Sequence, residues 1–137
     1  MIKIEKFIAK HHVLSLATAI ENEVSTCSLF YAYDAEKKVF IVASSQETLH
    51  MQHISRNPNV AGNILLETKT VGKIQGLQFK GKFLPLDDKA LQKEYFQTFP
   101  YARVMNPTLY KIEVDSFKLT DNRLGFGKKI IWQRSLE

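Results

Sequence analysis

Near the start of this chain, three β-compatible runs follow one another with only short polar breaks, and that spacing constrains the fold more than any other feature. The runs are Val13–Ile20, residues 25–33 and residues 39–42, separated by Glu21-Asn22-Glu23 and by Asp34-Ala35-Glu36-Lys37-Lys38. Breaks of that length suit hairpins, so the strands are expected to pair antiparallel.

The remaining chain adds strands interrupted by single short helices. Ile4, Phe7 and Ile8 share one helical face before the first strand. Ser44 and Glu47 fit a capping box, which predicts a helix from Ser44 to about Arg56, stopped before Asn57-Pro58. Residues 60–66 read as a fourth strand. Residues 71–86 alternate, with Leu77, Phe79 and Phe83 on one side and Gln78, Lys80 and Lys82 on the other. Asp87-Asp88 opens a third helix carrying Leu91, Tyr95, Phe96 and Phe99, with Pro100 and Pro107 bracketing its exit. Residues 109–114, 117–119 and 130–132 supply the last β segments. This order is not the β-α alternation of a parallel sheet. It predicts a mainly β fold, an antiparallel β-barrel with flanking helices, because closure removes exposed edges. One domain over residues 1–137 accommodates it.

Composition excludes several classes. The 137 residues are 45% hydrophobic and 24% charged, with Gly 6 and Pro 4, which rules out disorder, collagen and coiled coil. No apolar run approaches the ~18 residues of a membrane span, and the first residues lack the pattern of a signal peptide. With Cys27 the single cysteine, no internal disulfide or cysteine-based zinc cluster forms, and the expected compartment is the reducing cytoplasm. Lys plus Arg number 19 against 14 acids, a net charge of +5. That excess invites nucleic acid, anionic lipid or a phosphorylated small molecule. Its scatter, with Lys37-Lys38 beside Asp34 and Glu36, favours a solvated lysine-rich surface.

Few residues suggest chemistry on their own. Ser44, Ser45 and Thr48 would place three hydroxyls at the expected helix start, with His50 one turn on, and a helix N-terminus attracts phosphate; the alternative is a plain capping motif with His50 on the surface. His50 and His53, at i and i+3, are close enough for one metal ion, but apart from Glu47 nothing nearby completes a ligand set, so no metal is expected. Cys27 reads as an inert thiol in a strand. Gly125-Phe126-Gly127-Lys128-Lys129 lacks P-loop spacing and reads as a glycine turn. Trp132 and Arg134, two apart on a strand, offer an aromatic platform and an anion donor.

Taken in order, these pieces resemble the split-barrel flavin-binding superfamily that contains pyridoxine 5′-phosphate oxidase, and within it the small bacterial family of YhbP-like proteins. The likeness rests on Gly76-Leu77-Gln78-Phe79-Lys80-Gly81 and on residues 117–132, and it runs from His11 to Arg134. It implies a homodimer holding FMN at the subunit interface. The second strand, around Thr26, Cys27 and Ser28, would lie along the flavin ring, and Ser44 would approach the ring or ribityl chain. Thr48 and His50 fall where the phosphate is held, and Trp132 and Arg134 match a C-terminal element that reaches cofactor or substrate. The chain departs from the oxidases at Thr26, where they carry arginine, and at Leu49-His50, where a basic pair is reduced to one histidine.

The expectation is therefore an FMN-dependent oxidoreductase of a small molecule, the cofactor supplying the redox chemistry so that no acid–base pair need appear. A flavin, deazaflavin or haem carrier without turnover is the alternative. A nucleic-acid-binding barrel using Lys80 and Lys82 ranks last, because no aromatic side chain shares their face for stacking.

Overall fold

The computed structural model describes residues 1–125 and 128–135. Three helices, α1 (Ile2–Lys10), α2 (Leu49–Arg56) and α3 (Lys89–Thr98), flank seven strands. The strands are β1 (Val13–Ile20), β2 (Glu23–Asp34), β3 (Val39–Ala43), β4 (Asn59–Leu66), β5 (Gln75–Pro85), β6 (Leu109–Asp121) and β7 (Lys129–Gln133).

All neighbouring strands pair antiparallel, in the order β3-β2-β1-β4-β5-β6-β7. The sheet closes because β3 also pairs with residues 109–113 of β6, while residues 116–120 of the same strand pair with β7. One edge of β6 thus changes partner near Val114–Ser116, which splits the barrel. At that point the register to β5 shifts between Lys80 and Gly81, leaving Asp115 as the extra residue of a bulge. Arg134 holds the junction. Its backbone N–H donates to the Asp115 carbonyl (2.8 Å), its Nε to Val114 O (2.8 Å), and its Nη2 to Lys37 O and Lys38 O (3.0 and 3.1 Å).

Period-two alternation decides which side chains enter the barrel. Leu14, Leu16, Phe40, Ile64, Leu77, Phe79, Ile112 and Phe117 point inward, and α1 adds Ile4, Phe7 and Ile8. The Phe40 ring centroid lies 5.0 Å from that of Phe79 and 6.0 Å from that of Phe117. Strand β3 is buried on both faces, because α3 covers its outer side with Leu91 and Tyr95 against Val39 and Ile41. Gly62 is required by close approach. A Cβ there would fall 2.3 Å from the Phe79 ring and 2.4 Å from the Ser15 carbonyl oxygen.

Three sequence expectations are corrected. The N-cap of α2 is Thr48, whose extended backbone lets its hydroxyl accept from Met51 N (3.4 Å). Ser44 is held outside the helix because its N–H donates to Thr108 O (3.1 Å), and Glu47 instead accepts from the Ser45 hydroxyl. The run 71–86 begins as a 3-10 turn, Val71–Lys73, before β5. Residues 109–119 form no separate strands but one continuous β6, since the bulge at Asp115 absorbs the break in alternation. Of the expected glycine turn, Phe126 and Gly127 lie outside the described residues.

Candidate functional site

The outer face of the sheet carries a groove of about 690 Å³, built from residues whose strand parity turns them away from the core. Two rows cross it in register. One runs Thr26, Ala17, Ala61, Lys80, Ser116, Gln133. The other runs Ser28, Ser15, Asn63, Gln78, Lys118, Ile131; all but Ser28 line the groove. Hydroxyls, amides and two ammonium groups therefore share one surface, and no carboxylate lines it. Lys80 and Lys118 are diagonal cross-strand neighbours, close enough for both long side chains to meet one anion. Exposed apolar residues of the same parity flank these rows, Val24 at 78% exposure, Phe30 at 60% and Leu65 at 54%, and Ile131 within the second row is 64% exposed.

Between the two outward rows lies an inward one: Cys27, Leu16, Gly62, Phe79, Phe117, Trp132. This parity separates the residues singled out from the sequence. Thr26 lines the groove and Ser28 extends its second row. Cys27 faces the core, where burial pushes its thiol pKa up. Trp132 also faces inward, its indole centroid 5.7 Å from that of Phe117. Arg134 lies against that indole, Cζ 5.7 Å from the ring centroid, with its donors turned onto backbone carbonyls.

Ser44, Thr48 and His50 come together elsewhere, at the start of α2. His50 Nε2 sits 2.6 Å from Ser44 Oγ and 3.2 Å from Thr48 Oγ1, and Thr48 Oγ1 donates to Ser45 O (2.9 Å). His50 is buried rather than on the surface, and burial lowers its pKa, so the ring is neutral near pH 7. The three polar groups satisfy one another, and none lines the groove.

His53 points away from His50. Its Nδ1 lies 3.0 Å from Thr18 Oγ1 and its Nε2 3.1 Å from Glu23 Oε1, so neither ring nitrogen turns toward a site shared with His50. Among the described residues no group of three or more His, Cys, Asp or Glu is arranged to hold a metal ion, and no helix is long and apolar enough to cross a membrane.

Sequence reasoning missed Ser15, Asn63, Ser116, Lys118, Ile131 and Gln133. The alternation that turns each of them outward is readable; the register that aligns β1 with β4 and β6 with β7 is not, because β1 and β4 are not consecutive strands and the segment between Asp121 and Lys129 is longer than a tight hairpin turn.

The split barrel has many structural counterparts. A haem-binding protein from Mycobacterium smegmatis superposes with a TM-score of 0.76 at 12% identity, covering 93% of this chain and 55% of that one. A FAD-binding protein from Mesorhizobium loti gives 0.73 at 14% identity, covering 86% and 90%. At such identities the likeness shows the fold. No family profile matches the chain, but full-length relatives do. The YhbP protein of Escherichia fergusonii is 38% identical over 135 residues, 96% of this chain and 92% of the relative. That of Escherichia coli is 37% identical over 134 residues, 96% of each. With that identity held over 96% of its length, the chain belongs to the UPF0306 (YhbP) family.

Proposed function

We propose that the outer-face groove is one half of a flavin mononucleotide site, completed by a second copy of the chain, and that the protein is a flavin-dependent oxidoreductase of a small molecule. One observation carries this reading: the groove combines two lysines that make no ion pair among the described residues, three side-chain amides and no carboxylate on one registered surface. Its volume falls within the ~300–1,000 Å³ range of small-molecule sites. Lys80 and Lys118 would neutralise the phosphate. Asn63, Gln78 and Gln133 would donate to and accept from the edge of a flat ring, with Ile131 against its apolar part. Bound flavin would supply the hydride or electron transfer; the chain orients it and excludes water.

The open side of the groove supports the dimer. Val24, Phe30, Leu65 and Ile131 are exposed on the same face, and an apolar rim of that kind marks a surface covered by a partner. Flavin is favoured over haem because the groove lining offers no His, Cys, Met or Tyr to ligate iron. The fold counterparts include a FAD-binding protein, which is compatible with this choice.

The test is a titration of purified protein with FMN and riboflavin, followed by flavin fluorescence. Quenching with a micromolar or tighter Kd supports the reading, and no binding at ~100 μM overturns it. Lys80→Ala with Lys118→Ala should weaken FMN about tenfold and riboflavin little, since riboflavin lacks the phosphate. If Thr48→Ala with His50→Ala produces that selective loss instead, the phosphate lies at the start of α2 and the groove assignment falls. Reduction of bound flavin by NADH or NADPH separates an enzyme from a carrier.

A further inference from the structure

A second concave site lies at the other side of the sheet, between α1 and the ends of β5 and β6. It encloses about 230 Å³ and shares no lining residue with the groove. Lys3, Lys6 and Lys10 stand at i, i+3 and i+7 along α1 and form one wall, and Arg123 forms the other. Phe7, Leu119 and Leu124 contribute an apolar lining.

The electrostatics are one-sided. Among the described residues, none of the three lysines makes an ion pair with a carboxylate. The one acid in the cleft, Asp121, is 4% exposed and already committed. Its carboxylate accepts from Arg123 Nε (3.1 Å), Nη2 (3.0 Å) and backbone N (3.0 Å). The Arg123 hydrogen bond holds that carboxyl below its ordinary pKa, so it stays ionised. A guanidinium carries five N–H donors, and this contact uses two of them. Asp121 therefore fixes the plane of Arg123, and among the described residues no other carboxylate pairs with that guanidinium, which lines the same cleft as the lysines. Four cations around one acid leave the cleft net positive, and a concave apolar wall concentrates the resulting potential.

We propose that this cleft binds the phosphate-bearing end of a small soluble ligand, with pyrophosphate the simplest representative. The fixed guanidinium supplies directional donors, and the lysines supply mobile charge around it. A volume below the usual range for whole-ligand sites suits one phosphorylated end rather than an entire nucleotide. This assignment does not depend on the flavin reading.

The experiment is a titration of the full chain with sodium pyrophosphate at low salt, followed by amide chemical shifts and calorimetry. Saturable shifts at Lys6, Lys10 and Arg123 with a Kd below about 1 mM are expected. Lys6→Ala with Lys10→Ala should weaken binding about tenfold or more, while Lys89→Ala with Lys93→Ala, which removes the same charge from the exposed face of α3, should leave it unchanged. Equal shifts from sodium chloride at matched ionic strength would overturn the proposal, as would undiminished binding by the Lys6/Lys10 variant. Tighter binding of a short single-stranded oligonucleotide than of pyrophosphate would also overturn it, moving the surface to nucleic acid.

Discussion

Arg134 Nε donates to the carbonyl oxygen of Val114 at 2.8 Å, at the point where β6 exchanges β3 for β7. The same guanidinium reaches Lys37 O and Lys38 O in the β2–β3 turn, and Val114 N donates to Lys38 O (3.1 Å). The side chain thus bonds one carbonyl beside the bulge and two in the β2–β3 turn, and a charged donor makes such bonds worth more than a neutral one.

Arg134→Ala should therefore destabilise the protein by about 2 kcal/mol, the usual range for hydrogen bonds from a charged group. Urea unfolding monitored by Trp132 fluorescence measures it. Arg134→Lys should recover part of the loss, since an ammonium can reach one carbonyl but not the fork. Unchanged stability together with a loss of flavin affinity would make the arginine a ligand contact instead.

Among the described residues, the Tyr33 hydroxyl is the buried side-chain polar atom without a hydrogen-bond partner. Its ring packs on Phe40 and Phe117 at 5.0 and 6.2 Å, and burial pushes its pKa far above the ordinary value. Desolvating a hydroxyl without a compensating bond opposes folding, while the ring itself contributes apolar burial. Tyr33→Phe keeps the ring and removes the oxygen, so it should stabilise by about 0.5–1 kcal/mol in a urea midpoint comparison. A destabilised variant would mean that the hydroxyl has a partner in solution.

The barrel was legible in the sequence because hairpin spacing and alternation are local. Val13–Ile20 appeared as read, and Leu77, Phe79 and Phe83 turned inward as their period required. The misplaced start of α2 shows where local reading fails. Ser44 and Glu47 fit the capping pattern, but the backbone of Ser44 is taken by Thr108, sixty-four residues on, and the next suitable hydroxyl, Thr48, caps instead. The site was less legible. Thr26 and Cys27 are adjacent in sequence yet lie on opposite sides of the sheet. Lys80 and Lys118 meet only through the β5–β6 register, and Lys3, Lys6 and Lys10 meet Arg123 only after α1 docks. Charge is scattered along the sequence, and the fold brings part of it together.

A final prediction concerns pH. Glu94 on α3 lies against Asp34 at the end of β2; burial first, then the hydrogen bond and charge of Asp34, push its pKa up to about 7, with Lys37 opposing. The unfolded value is 4.5, so between about 4.5 and 7 the folded chain binds more protons than the unfolded one. Stability contributed by this group is then complete below pH 4.5 and is lost as pH rises toward 7. Glu94→Gln keeps the shape and removes the titration. The variant should match the native chain near pH 5 and exceed it near pH 8, with a Tm higher by about 1–3 °C at the upper pH. Thermal unfolding at the two pH values measures the difference, and a Tm gap that is the same at both would show that Glu94 does not titrate with folding in this window. Because Asp34 also accepts the backbone N–H of Lys37 at 2.8 Å, replacing it would change the acceptor in the β2–β3 turn from a carboxylate to a neutral group as well, which makes Glu94 the member of the pair to replace.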